Sequence, residues 1–137
     1  MRKMGLDYGD VRIGIALSDI MGMIANGLET YTRKTEQEDL EYLDKLIKQH
    51  SVDTVVMGLP INMDGTSGDR VEVTKQFGQK LQEKSNVKVA YLDERLTSIS
   101  AEKLLIEADV RRDKRKQVID KIAATIILQN YLDIYSK

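Results

Sequence analysis

Carboxylates are the side chains through which this sequence can hold a metal or move a proton, because it contains no cysteine and one histidine, His50. Disulfides, thiol nucleophiles and thiolate zinc are thereby excluded, and a lone imidazole cannot build a multi-histidine centre. Asp7 lies in Gly5-Leu6-Asp7-Tyr8-Gly9. In a strand, period-two alternation sets Leu6 on one face and Gly5, Asp7 and Gly9 on the other, so this carboxylate stands among residues without side chains. A backbone or a phosphate can approach it closely, although an isolated Asp-x-Gly serves a turn equally well. Asp120 says more. At about 100° per residue it falls inside the apolar arc of Ala123, Ala124, Ile127 and Tyr131 on a final helix, so it should face the core. Burial there costs several kcal/mol unless a metal ion, a basic side chain or water compensates. The plainer alternative is a first-turn acid that satisfies backbone donors and the helix dipole, worth about 0.3–1 kcal/mol. Asp93-Glu94-Arg95 closes a strand, where alternation sends the two acids to opposite sides. Only one of them can join Asp7, strand phase does not choose between them, and an ion pair with Arg95 is the structural alternative.

Such acids suit Mg2+ or Mn2+, which prefer hard oxygen ligands and leave positions for water and phosphate oxygens. Two ions about 4 Å apart would activate water and stabilise the leaving oxygen of a phosphodiester, with no histidine base required. The stretch from Gly58 to Arg70 brings backbone freedom together with amide, hydroxyl and guanidinium donors: Gly58, Asn62, Gly65, Thr66, Ser67 and Arg70. It can clasp a nucleic-acid backbone or be an ordinary crossover; its glycines lack the following lysine of a Walker A loop. Arg111, Arg112, Lys114, Arg115 and Lys116 put five cations into six residues at or just before the start of the last helix. The dipole disfavours positive charge there, so helix stability does not explain the run. Phosphate contact explains it, and so does a solvated charge cluster. Aromatic residues are 5% of the chain, which favours backbone recognition over extensive base stacking.

These side chains need a scaffold. Met4 to Leu17 alternates as two strands around Gly9-Asp10, and a third strand is expected over Gly27 to Arg33. Thr35 and Glu38 form a capping box for a helix that aligns Leu40, Leu43, Leu46 and Ile47 and ends near His50. A strand over Val52–Met57, a loop over Gly58–Asp69, a helix marked by Val73, Phe77 and Leu81, and a strand over Val87–Leu92 follow. Thr97 or Ser98 can cap a helix bearing Leu104 and Leu105, and Lys116–Tyr135 reads as a long final helix. Three strands followed by strand–helix alternation imply a five-stranded mixed sheet, an antiparallel meander plus parallel strands, flanked by helices. This α/β order resembles the ribonuclease H-like folds, in which sites form beyond the carboxyl ends of the parallel strands. One domain over residues 1–137 is expected, since 137 residues suffice for one core and not two. With 42% apolar and 31% charged residues and no apolar run near about 18 residues, neither disorder nor a membrane span is expected. No export signal is visible at the N-terminus. The formal charge of −1 excludes a uniformly basic coat protein, so any polyanion contact must be local.

Four motifs, Gly5-Leu6-Asp7-Tyr8-Gly9, Gly58-Leu59-Pro60 with Asp64-Gly65, Asp93-Glu94-Arg95-Leu96-Thr97 and Asp120-Lys121-Ile122-Ala123-Ala124, span nearly the whole chain. In this order and spacing they resemble the YqgF/RuvX family of Holliday junction resolvases, also discussed as nucleases of ribosomal-RNA precursors. The resemblance implies a cytoplasmic bacterial nuclease with Asp7, Glu94 and Asp120 as catalytic, metal-binding residues. Glu94 is preferred to Asp93 on this ground alone. It further implies that Arg70, Arg95 and the basic segment Arg111, Arg112, Lys114, Arg115 and Lys116 hold substrate phosphates. Maturation of the 16S rRNA precursor is the favoured activity and resolution of four-way DNA the alternative; no residue reveals a probe of the 2′-hydroxyl. A resolvase would need paired sites, hence a homodimer, whose interface nothing in the sequence defines. Two rivals remain: a nucleotide-binding protein like the actin and sugar-kinase superfamily, whose members close two such domains around ATP, and a noncatalytic RNA-binding factor of the same fold.

Overall fold

The computed structural model describes residues 1–59, 69–93 and 112–135, with the backbone alone over 112–119. Its elements are β1 (Arg2–Tyr8), β2 (Arg12–Ser18), β3 (Ala25–Thr32), α1 (Glu36–Gln49), β4 (Val52–Leu59), α2 (Asp69–Ser85), β5 (Lys88–Asp93) and α3 (Arg112–Tyr135). The strands form one sheet in the order β3-β2-β1-β4-β5. β1 is central, antiparallel to β2 and parallel to β4; β2–β3 is antiparallel and β4–β5 parallel. This is the mixed sheet expected from the element order.

Alternation along the strands gives the sheet two apolar faces. Met4, Leu6 and Tyr8 of β1 join Ile13, Ile15, Val55 and Met57 beneath Leu43, Ile47, Phe77 and Leu81 of α1 and α2. On the opposite face Ala16, Ala25 and Val56 pack against Ala124, Ile127, Leu128 and Tyr131 of α3. Each large side chain fully withdrawn from water, such as Phe77 or Leu6, contributes about 1.5–3 kcal/mol. α1 starts where the capping box places it: the Thr35 hydroxyl accepts from the Glu38 amide at 3.2 Å, and His50 closes the helix.

Several boundaries differ from expectation. β3 begins at Ala25, because Ala25 pairs with Ser18 and its amide donates to the Gln129 side chain at 2.9 Å. β4 continues through Gly58 to Leu59, since the parallel ladder with β5 extends to Gly58↔Leu92 and Leu59↔Asp93. Gly58, expected in the loop, is therefore a buried strand residue. On α2 the buried stripe is Val71, Thr74, Phe77, Gly78 and Leu81, which leaves Val73, expected on the apolar face, 40% exposed at its edge. α3 is already helical at Arg112, a turn before Lys116. Residues 112–116 contain no Gly or Pro, and the good helix propensity of Arg and Lys outweighs a modest dipole penalty. The expected helix with Leu104 and Leu105, and its caps Thr97 or Ser98, lie outside the described residues.

Candidate active site

Asp7 is the penultimate residue of β1 and pairs with Gly14 of β2. Directly opposed residues of an antiparallel ladder point to the same face with Cα atoms about 5 Å apart. That face belongs to α3. A Cβ on Gly14 would lie 1.9 Å from the Asp120 carbonyl oxygen, and one on Gly5 would lie 2.7 Å from the Ala124 carbonyl and from Leu128 Cβ. α3 therefore rests on the backbone of the central hairpin, with Asp120 at the residue opposite Asp7. The two acids, remote along the chain, thus both border Gly14 at one end of the sheet, and Asp7 is half-buried there.

Asp120 has the apolar neighbours its helical phase predicts: Ala123, Ala124, Ile127 and Tyr131 are all buried. Its own side chain is 22% exposed, and its compensating charge is Arg12, whose Nε donates to Oδ2 at 2.8 Å. Sequence reasoning did not single out Arg12. The available signal was its phase, since it shares the Gly14 and Ala16 side of β2 and so the face turned to the final helix.

The turn that follows Asp7 is braced from beneath. The Gly9 amide donates to the Arg12 carbonyl at 3.0 Å. Arg33 donates to the Gly9 carbonyl at 3.1 Å and Arg70 to the Tyr8 carbonyl at 3.0 Å. Arg70 is also ion-paired with Asp10, so this expected phosphate ligand holds the hairpin while remaining partly exposed. Arg33 is anchored by Asp39, fully buried, which accepts from its Nε and from the Lys34 amide, both at 2.9 Å. The guanidinium of Arg33 lies 4.6 Å from the Tyr8 ring and 5.9 Å from the Phe77 ring, and these two rings are themselves 4.4 Å apart. Burial pushes the Tyr8 phenol up from its ordinary value, against the opposing pull of Arg33.

At the neighbouring strand ends, Gly58 alternates with Met57 onto the α3 face, where Val56, Ala90 and Leu92 also pack. Asp93 follows Leu92 in strand phase onto the other face, that of Tyr91 and Val89, and is exposed. Glu94 and Arg95, Asn62, Gly65, Thr66 and Ser67 of the expected substrate loop, and Arg111 lie outside the described residues. Arg112, Lys114, Arg115 and Lys116 lie on the backbone of α3. Among the described residues no three acidic, histidine or cysteine side chains gather as a metal site. Asp7 and Asp120 supply two hard carboxylate donors on one face, a donor set that fits Mg2+ or Mn2+ better than softer metals.

The comparisons agree with this architecture. Residues 1–134 match the family model described as RuvX: Holliday junction resolvase. A Halothermothrix orenii protein named "Putative pre-16S rRNA nuclease" is 53% identical over 137 residues, covering 100% of this chain and 98% of that one. Among solved structures, Thermus thermophilus RuvC, in complex with a Holliday junction substrate, superposes with a TM-score of 0.62 at 11% identity, over 99% of this chain and 96% of its own. The Fowlpox virus resolvase in complex with Holliday junction DNA gives 0.60 at 14% identity over the full length of both chains. At such identities the structures establish the fold, which is that of the ribonuclease H-like resolvases. With the family model matched from end to end and more than half its residues shared with the Halothermothrix protein, the chain belongs to the RuvX family.

Proposed function

We propose that this chain is a single-domain, metal-dependent endonuclease that hydrolyses phosphodiester bonds in structured nucleic acid, with the 16S rRNA precursor as substrate. The observation that supports it most is the Asp7↔Gly14 register beneath Asp120, which brings two remote acids to one end of the central strand. Asp7, Glu94 and Asp120 would hold Mg2+ or Mn2+. Bound there, the ion would supply Lewis acidity and a water made nucleophilic near neutral pH. The protein's own part is positioning. The central strand and the face of α3 present Asp7 and Asp120 from rigid elements, and Gly5 and Gly14 let those elements approach closely. Arg33 and Arg70 restrain the turn behind Asp7. The partly exposed Arg70, Arg95 and the basic segment at the start of α3 supply cations for phosphates.

The rRNA reading draws on the name of the Halothermothrix relative. The family's own description favours a second, a four-way DNA junction cut by a homodimer with paired sites. Either substrate places the protein in the cytoplasm, and among the described residues no helix is long and apolar enough to cross a membrane. The test is parallel cleavage of a 16S rRNA precursor and a four-way DNA junction with Mn2+ by wild type, Asp7→Asn and Asp120→Asn. Wild type is expected to cut the precursor. Both variants should lose about two orders of magnitude or more of that rate while binding it within a few-fold. Cleavage of the junction alone would transfer the assignment to resolution, and undiminished cleavage by either variant would remove that acid from the chemistry.

A further inference from the structure

Arg12 has a partner that the other cations around the hairpin lack. Arg33 is taken by Asp39 and the Gly9 carbonyl, and Arg70 by Asp10 and the Tyr8 carbonyl. Arg12 instead donates to Asp120, itself a proposed metal ligand. The described bond is one Nε–H to one oxygen, at 2.8 Å, between side chains 26% and 22% exposed. It lacks the second parallel bond of the fork arrangement that would make such a pair hard to open. Arg12 also projects from the α3 face of β2, two residues before the Gly14 that pairs with Asp7. A guanidinium fixed there repels a divalent cation approaching the same carboxylates, and Coulomb repulsion is strong in a partly buried site.

We propose that Arg12 is a positioning residue that occupies Asp120 in the cation-free protein and competes with the divalent cation for it, so that cation uptake releases the guanidinium toward a substrate phosphate. The inference rests on the reading of Asp120 as a ligand. In the cation-free protein Arg12 neutralises the partly buried Asp120 carboxylate where α3 rests on the central hairpin. Once displaced, it is a planar donor suited to a phosphate oxygen.

The experiment is calorimetric titration of the full-length protein with Mn2+ alone, comparing wild type, Arg12→Gln, Arg12→Lys and Asp120→Asn, with thermal melts of each. Arg12→Gln should bind Mn2+ about tenfold more tightly than wild type, the equivalent of about 1.4 kcal/mol. It should melt lower without Mn2+ and gain the larger upward shift when Mn2+ is added. Arg12→Lys, which keeps the charge, should stay within about threefold of wild type. In wild-type protein, the Nε–H resonance of Arg12 should shift and exchange faster with water when Mg2+ is added; this holds even if the glutamine variant folds poorly. Weakened binding by Asp120→Asn together with wild-type affinity in Arg12→Gln, or an Nε–H resonance unmoved at saturating Mg2+, overturns the competition alone. Wild-type affinity in Asp120→Asn removes Asp120 as a ligand, and the competition with it.

Discussion

Gly14 shows how tightly the position of Asp120 is set by a single residue. A methyl group there would meet the Asp120 backbone at 1.9 and 2.4 Å, where no flexible side chain can yield, so α3 would have to lift from the hairpin. Gly14→Ala is expected to cost about 3 kcal/mol, the upper part of the overpacking range, in urea unfolding. Gly27→Ala provides the contrast. Its added Cβ meets Lys121 Cγ at 2.7 Å and the Thr125 hydroxyl at 3.2 Å, side-chain atoms that can yield by rotation where helix backbone cannot, and the loss should be smaller, about 1 kcal/mol. Equal costs at the two sites would refute the idea that α3 is seated on Gly14. At this scale Asp7 and Asp120 were legible in the sequence, because strand alternation and helical phase assign a side chain to a face. Arg12 was not, since choosing it requires knowing which helix covers which face of β2.

Between elements, the packing of α1 on α2 includes an acid-sensitive link. Asp44 of α1 accepts from the Ser85 hydroxyl at 2.7 Å and from Lys48 Nζ at 2.9 Å. The Ser85 hydrogen bond, followed by the Lys48 ammonium, holds the Asp44 carboxyl below its ordinary value of 3.8. A group whose pKa is depressed by folding stabilises the native state above its unfolded pKa and loses that contribution as pH falls through its folded pKa. Asp44→Asn should therefore reduce unfolding free energy by about 1 kcal/mol at pH 7, and the difference from wild type should shrink once the pH drops below 3.8. Urea denaturation at pH 7 and pH 3 checks this, and a gap that is the same at both would refute it. Among the described residues element types were readable from periodicity, whereas the end of β4 was not. Gly58 has no side chain to declare a strand, and its place was decided by pairing with Leu92.

For the molecule as a whole, a formal charge of −1 means that long-range attraction to nucleic acid has to come from a local concentration of cations. The densest is the run from Arg111 to Lys116, most of it on the first turns of α3, the helix that also presents Asp120. Replacing Arg111, Arg112 and Arg115 by Ala should weaken precursor binding and flatten the plot of log K against log salt by up to about 3 units, roughly one for each phosphate that is no longer neutralised. An unchanged slope would make the run a solubility feature. Filter binding across a salt series supplies the measurement, and the melting temperature monitors the fold.

The sequence by itself determined the order of the described elements, the two-faced strands, the absence of thiol chemistry and the acids worth watching. All of these follow from local rules of residue type, alternation and helical phase. Only tertiary structure decided that Asp7 lies across from Gly14, that the Asp120 backbone presses on that glycine, and that Arg12 is the charge Asp120 meets. The first is the register of a hairpin and the other two the seating of a helix more than a hundred residues along the chain from that hairpin; both are set by pairing between segments and leave no periodic trace within either one.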